Sequence, residues 1–287
     1  MIERLECRAF TNRYTFMAED CYKITFVGAG RMASAMIKSL LRSGLYQAQE
    51  IACCSAKDGT AEKLVAETGI RMIDPEAEQV FNTDTMVLAC KPQQLNTVSA
   101  TLVNSASGCL LISILAGTRI ATLLGKFSDA RNVVRVMPNT PGSIGEGVSA
   151  FSPSQPLLDA DRATVENVLR SMGQTLAVEE SQLDAITAVS GSGPAYLFLF
   201  VEGLYHAALK EGFDETTAMQ LAKQTVIGSA KLLEQSGESP ETLRIQVTSP
   251  NGTTQAAIES FQKNHFIEII AEAVEAARKR SIELGKS

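Results

Sequence analysis

The chain has 287 residues, 45% hydrophobic and 20% charged, which suits about two folded domains with a sizeable core and excludes a disordered or fibrous polymer. A net charge of −6 argues against a general affinity for nucleic acid or anionic membrane, and no apolar run approaches the roughly 20 residues of a membrane span. Six cysteines without a CxxC, and two histidines, exclude a zinc site or disulfide framework as the expected reading and fit a reducing cytoplasm.

Residues 1–22 lack the unbroken apolar stretch and small-residue cleavage site of a secretory signal. They read as an unpatterned extension, with Met17 as an alternative start and an Arg-containing targeting peptide as the second option; the first strand is expected from Lys23. From Lys23 to Val136, the strand-length apolar runs "KITFV", "EIACC", "TMVLAC", "CLLISIL" and "NVVRV" alternate with amphipathic stretches such as "MASAMIKSLLRSG" (32–44), which ends on Gly44 as helices often do. Continuously apolar strands separated by helices predict a doubly wound α/β unit, a parallel sheet covered on both faces.

Beyond "MPNTPGSIGEG" (137–147), "VSAF" and "TLAV" read as strands around a helix over 157–171. After "EESQLDAITA" the strand signal ends. A helix over 194–212 is apolar around most of its circumference. Asp214 caps the next helix, and Ser239 with Pro240 opens another. Helices over about 254–262 and over 266–285 close the chain. So much apolar helix surface in about 105 residues predicts burial against a second copy.

"ITFVGAGRMASAM" (24–36) places Gly28-x-Gly30-x-x-Ala33 directly after a strand and at the start of a helix. Gly28 permits the tight turn, Gly30 lets backbone approach a pyrophosphate, and Ala33 allows close helix–strand contact; Gly28, Ala29, Gly30, Arg31 and Met32 are the candidate contacts. Alone the motif is weak and fits a mere tight turn, but as the first unit of a β/α repeat it points to a dinucleotide. At the tip of the second strand, where a carboxylate would favour NAD(H), stand Ser55 and Lys57, with Asp58 later. A hydroxyl and an ammonium suit a 2′-phosphate, so NADP(H) is expected, with NAD(H) as the alternative and Lys57 as an ordinary solvated lysine the bland reading. Three more strand ends share the ligand edge: Ala89, Lys91 and Pro92; Ala116 and Gly117; Asn139 and Thr140.

Ketone reduction by hydride wants a proton donor, commonly His, Lys or Tyr. His206 lies inside an apolar helix and His265 in a helix–helix turn, and both read as structural. An imine, far more basic than a carbonyl, needs less acid catalysis and is the better substrate class. The segment "VTSPNGTTQAAI" (247–258) interrupts the helical half with a run of cap and turn residues. Ser249, Thr254 and the N–H groups opening the helix after them are suitable anion donors.

In this order, "GAGRMASAM", "LACKPQ", "VMPNTP", "DAITAVSGSGPAYLF" (184–198) and "VTSPNGTT" resemble pyrroline-5-carboxylate reductases from Lys23 to the C-terminus. The resemblance implies an α/β fold: an N-terminal Rossmann-type doubly wound parallel sheet followed by an all-α C-terminal dimerisation domain. The expected division is an extension 1–22, an NADP-binding domain 23–180 and a helical dimerisation and substrate domain 181–287. It further implies NAD(P)H reducing a small cyclic imine to L-proline, with no metal, at a site shared between subunits of a homodimer; many members assemble further, into decamers. The substrate carboxylate would lie in a loop containing Ser249, Asn251, Gly252, Thr253 and Thr254, with Thr254 near the imine nitrogen and Glu180 at the ring amine. Asn251 departs from the glycine usual there, though Asn tolerates the left-handed backbone.

Two other classes compete. β-Hydroxyacid dehydrogenases share a similar layout but carry a catalytic lysine in G-x-G-x-x-x-K; here Gly191-Ser-Gly193-Pro-Ala-Tyr leads to Leu197. A non-catalytic NADP-binding regulator is opposed by the polar loops at 137–142 and 248–254.

Overall fold

The computed structural model describes residues 21–56, 58–74 and 82–285. In chain order the elements are β1 (Cys21–Val27), α1 (Arg31–Arg42), β2 (Ile51–Cys54), α2 (Thr60–Thr68), β3 (Arg71–Met72), β4 (Asn82–Leu88), α3 (Ala100–Ser105), β5 (Leu110–Ser113), α4 (Ile120–Lys126), β6 (Asn132–Met137), β7 (Gly147–Pro153), α5 (Asp159–Arg170), β8 (Gly173–Ala177), α6 (Leu183–Ile186), α7 (Gly193–Lys210), α8 (Glu215–Ser236), α9 (Pro240–Gln246), α10 (Thr253–Lys263) and α11 (Phe266–Leu284). The expectation for residues 1–20 lies outside the described residues. The expected start at Lys23 is corrected: Cys21 and Tyr22 already pair with Asn82 and Thr83, so the strand takes in the last two residues assigned to the extension.

Eight strands form one sheet in the order β3-β2-β1-β4-β5-β6-β7-β8. Side-chain alternation sorts its residues onto two faces. Phe26, Cys53, Val87, Ile112 and Val134 join helices α1, α2 and α5 in one core; Val27, Cys54, Leu88, Leu111 and Val133 join α3 and α4 in the other. The strands through β6 are parallel, as their double burial requires. The sheet is not parallel throughout, because β7 runs antiparallel to β6 and β8 parallel to β7. The connection 138–146 is shorter than the dozen or so residues of a parallel crossover, so the chain turns straight back.

The helical half follows the sheet. Asp214 accepts from the amides of Thr216 and Thr217 at the start of α8, and Ser239 accepts from Thr242 at the start of α9, as caps. A single π turn, Thr187–Gly191, and a bend at Ser192 join α6 to α7 in one helical stretch from Glu180 to Lys210. Among the described residues this one helix is long and apolar enough to cross a membrane by length and composition only, a test that the core helix of a soluble protein also passes. Its sequence holds no unbroken apolar run of about 20 residues. None of the α7 residues is buried within the single chain; Phe198 is 65% and Leu199 68% exposed. On α11, Ile267 is 77% exposed. A surface so apolar requires cover.

Candidate active site

Strand order reverses between β1 and β4, both of which flank the glycine loop, and in an open α/β sheet ligands bind at such a switch point. Gly28 sits there with φ +113, its N–H donating to Cys54 O at 2.7 Å. A Cβ on it would stand 2.5 Å from the Ala89 carbonyl carbon, so only glycine lets the β1 and β4 ends come together. Ala29 is buried; Gly30, the N-cap of α1, is extended and has open space where a Cβ would stand. Arg31 is exposed and Met32 packs on the core. The first turn of α1 carries no acidic residue and no side-chain cap, which leaves its N–H groups to an anion. These residues fit a dinucleotide pyrophosphate.

At the β2 tip, the Ser55 hydroxyl donates to Ala56 O at 2.9 Å and lies 3.5 Å from Asp58 Oδ1. Lys57 lies outside the described residues. Past β4, Lys91 is exposed and its N–H donates to Gln94 Oε1, with Pro92 opening a 3-10 turn. Past β5, Ala116 is exposed, while Gly117 has a structural reason of its own: at φ +75 it packs under α11, where a Cβ would come 2.9 Å from Leu284 Cβ. Past β6, both ends of the Asn139 amide are engaged, donating to Ser190 O and accepting from Val148 N–H. Asn139 thus ties the sheet edge to the π turn of the long helix. Thr140 opens a 3-10 turn beside it.

Glu180 meets the sheet edge through a charge cluster absent from the sequence expectations. Its Oε1 accepts from Ile120 N–H at 2.8 Å and Arg135 Nη1 at 3.2 Å. Buried Asp184 accepts from Arg119 Nη2 at 2.6 Å, Arg135 Nη2 at 3.2 Å and Ser281 Oγ at 2.9 Å. The available signal was an arginine inside the apolar run "NVVRV" and an aspartate inside "LDAITA".

The loop 248–254 is folded by its own bonds. Thr248 Oγ1 donates to Arg244 O, Gly252 N–H to Ser249 O and Asn251 N–H to Gln255 Oε1. Asn251 adopts φ +59, the left-handed backbone anticipated for it. Gly252 is the N-cap of α10 without a side-chain bond; Ser249 and Thr253 are exposed and Thr254 half-buried, so hydroxyls and first-turn N–H groups gather at one helix start. Among the described residues, the hydrogen bonds of this loop outside the regular helix stay within 244–256, so they do not connect it to the glycine loop of the same chain.

The two histidines stand on other elements, and neither has a hydrogen bond or ion pair to the glycine loop or to 248–254 among the described residues. His206 is on α7 beside Glu202, and His265 takes φ +54 at the turn into α11. Burial pushes the Cys54 thiol up to about 12 and that of Cys53 to about 11, so neither supplies a thiolate nucleophile. Among the described residues no cluster of His, Cys, Asp or Glu is arranged to hold a metal.

A dinucleotide cradle at the switch point, joined to a helical unit with wide apolar faces, defines an NADP-dependent oxidoreductase of the Rossmann type with an oligomerisation domain. Residues 23–117 match the family described as "NADP oxidoreductase coenzyme F420-dependent", and residues 180–284 match "Pyrroline-5-carboxylate reductase dimerisation". Pyrroline-5-carboxylate reductase of Pseudomonas aeruginosa is 39% identical over 92% of this chain and 97% of its own length. Pyrroline-5-carboxylate reductase 2 of Bacillus subtilis is 38% identical over 91% of this chain and 95% of its own. Among solved structures, the Coxiella burnetii reductase superposes with a TM-score of 0.83 at 32% identity, covering 93% of this chain and 99% of that one. The Plasmodium falciparum enzyme, with NADP bound, gives 0.80 at 29% identity, covering 92% and 98%. The chain belongs to the pyrroline-5-carboxylate reductase family.

Proposed function

We propose that the chain reduces 1-pyrroline-5-carboxylate to L-proline, the last step of proline biosynthesis, at a site made by the switch-point loops of one subunit and the 248–254 loop. The observation that carries this reading is the pairing of a dinucleotide cradle with a separate helix start furnished with hydroxyl and amide donors. When bound, NADPH supplies the hydride, which adds to the ring carbon of the C=N bond while the nitrogen takes up a proton. The first-turn N–H groups of α10 and the Ser249 hydroxyl hold the substrate carboxylate, with Asn251, Gly252 and Thr253 shaping the loop. Thr254 Oγ1 orients the imine nitrogen. Glu180, with Oε1 held by Ile120 and Arg135, has Oε2 to offer the ring amine. Gly28, Ala29, Gly30, Arg31 and Met32 hold the pyrophosphate. Ser55 and Lys57 hold the 2′-phosphate. Ala89, Lys91, Pro92, Ala116, Gly117 and Asn139 form the edge facing the rest of the cofactor.

Because the loop 248–254 bonds only locally, its cofactor partner belongs to a second subunit in this reading, and the active unit is a dimer or a ring of dimers such as a decamer. The division into an NADP-binding unit 23–180 and a substrate unit 181–287, a cytoplasmic location, and the absence of membrane or nucleic-acid partners complete the proposal. The test is oxidation of NADPH on addition of the cyclic imine, with a 2-keto acid as control. Turnover of the imine alone is expected; turnover of the keto acid alone would replace this reading with a hydroxyacid dehydrogenase.

A further inference from the structure

The β2 tip lies beside the glycine loop, since Cys54 O accepts the Gly28 N–H. In a Rossmann unit this tip receives the adenosine ribose. Its polar groups form one small network. Asp58 Oδ1 accepts from Thr60 N–H at 3.0 Å and from the Thr60 hydroxyl at 2.6 Å, and lies 3.5 Å from Ser55 Oγ. The Thr60 hydroxyl also lies 3.2 Å from Ser55 Oγ. Each hydroxyl has one proton to give. The short contact claims that of Thr60 for Asp58, so Ser55 is left with a single proton for which the Ala56 carbonyl, the Asp58 carboxylate and any incoming phosphate compete.

From this geometry we infer that Asp58 is a cofactor-specificity residue that opposes the 2′-phosphate and keeps the chain's preference for NADPH over NADH shallow. The inference rests on the cofactor reading given above. A 2′-phosphate bonded to Ser55 Oγ at about 2.7 Å stands no more than about 6 Å from Asp58 Oδ1. Thr60's side-chain and backbone hydrogen bonds hold the Asp58 carboxyl below the ordinary aspartate range, so it is an anion at neutral pH. A carboxylate facing a phosphate of charge near −2 at that distance, in water and under physiological screening, lowers affinity by about 3- to 10-fold. The same carboxylate accepts well from a ribose 2′-OH, so NADH meets no such penalty.

The test is equilibrium binding of NADPH and NADH, followed by nicotinamide fluorescence, to the wild-type protein and to Asp58→Asn. Asparagine keeps an acceptor for the Thr60 N–H, and Asp58→Ser, whose hydroxyl oxygen can also accept there, guards against a folding defect in the first variant. Adenosine 2′,5′-bisphosphate and adenosine 5′-monophosphate, titrated by calorimetry, isolate the phosphate from the nicotinamide. The expected result is NADPH and the bisphosphate binding about 3- to 10-fold tighter, NADH and the monophosphate unchanged or weaker, and a gain that shrinks between about 0.05 M and 0.5 M salt. An NADPH-to-NADH affinity ratio unmoved in both variants overturns the inference. Wild-type protein that binds neither dinucleotide removes the cofactor reading beneath it, and that failure shows before any variant is compared.

Discussion

Thr254 stands at the second position of α10, half-buried, in the first turn, whose N–H groups have no partner within the helix. It is assigned orientation of the imine rather than indispensable acid catalysis, because a basic imine can arrive protonated or take its proton from water. Thr254→Ala is therefore expected to lower kcat/KM by the worth of one hydrogen bond, about 1–3 kcal/mol or roughly 5- to 150-fold, and Thr254→Ser to keep most of the activity. Complete loss in the alanine variant, with NADPH binding intact, would make Thr254 the essential acid. Asn251 carries a different kind of constraint. Its φ of +59 is open to glycine and tolerable for asparagine, whereas a plain Cβ pays the full left-handed cost. Asn251→Gly should leave stability to urea almost unchanged and Asn251→Ala should lower it by about 1 kcal/mol. Equal midpoints for the two variants would show that the loop relaxes to another backbone. This residue was readable in the sequence because its conformation is local. The close approach of Gly117 to Leu284 was not, because it joins positions far apart in the chain, and the strand-end position of Gly117 suggested only a ligand contact.

At the scale of elements, the caps and the alternating β/α texture were legible for the same local reason: Asp214 and Ser239 bond to amides two or three residues on. The caps also predict a pH response. Thr217's backbone and side-chain hydrogen bonds hold Asp214 below its ordinary 3.8, so its contribution to α8 is complete above that value and is lost as pH falls through the lower folded one. Amide exchange at Thr216 and Thr217 should rise in that acid window; flat protection would dissociate the cap from the charge. What the sequence hid was how elements meet. The Asn139 bond to Ser190 in the π turn and the cluster of Arg119, Arg135, Glu180 and Asp184 join residues 45 to 65 positions apart. That cluster joins the edge of the sheet to α6 and, through Ser281, to the end of α11. Removing one partner leaves a buried guanidinium short of its counter-charge. Asp184→Ala should cost about 3–5 kcal/mol in denaturant unfolding, and Ser281→Ala, which deletes one neutral donor, about 1 kcal/mol. A small loss for Asp184→Ala would mean water replaces the carboxylate.

At the scale of the whole molecule, the apolar helix from Glu180 to Lys210 and the dimerisation match over 180–284 point to the same surface. The α7 part of that helix, Gly193–Lys210, has no buried residue in the single chain and carries Phe198 and Leu199 in the open, so burial against another surface would stabilise it. The covering copy also has a chemical part in the proposal, because the loop that would hold the substrate carboxylate has only local hydrogen bonds within its own chain. Charge placed on that surface should therefore separate two properties. Leu199→Glu on α7 and Ile267→Glu on α11 each force a carboxylate into the contact if those helices form it, and the burial of an unpaired charge works against assembly. The expected outcome is a shift toward monomer in sedimentation, imine reduction falling in step with the dimer fraction, and NADPH still bound with near wild-type affinity by the intact sheet. Raising protein concentration should restore activity by mass action. A variant that sediments as a monomer and turns over the imine at the wild-type rate would show that one chain holds the whole site.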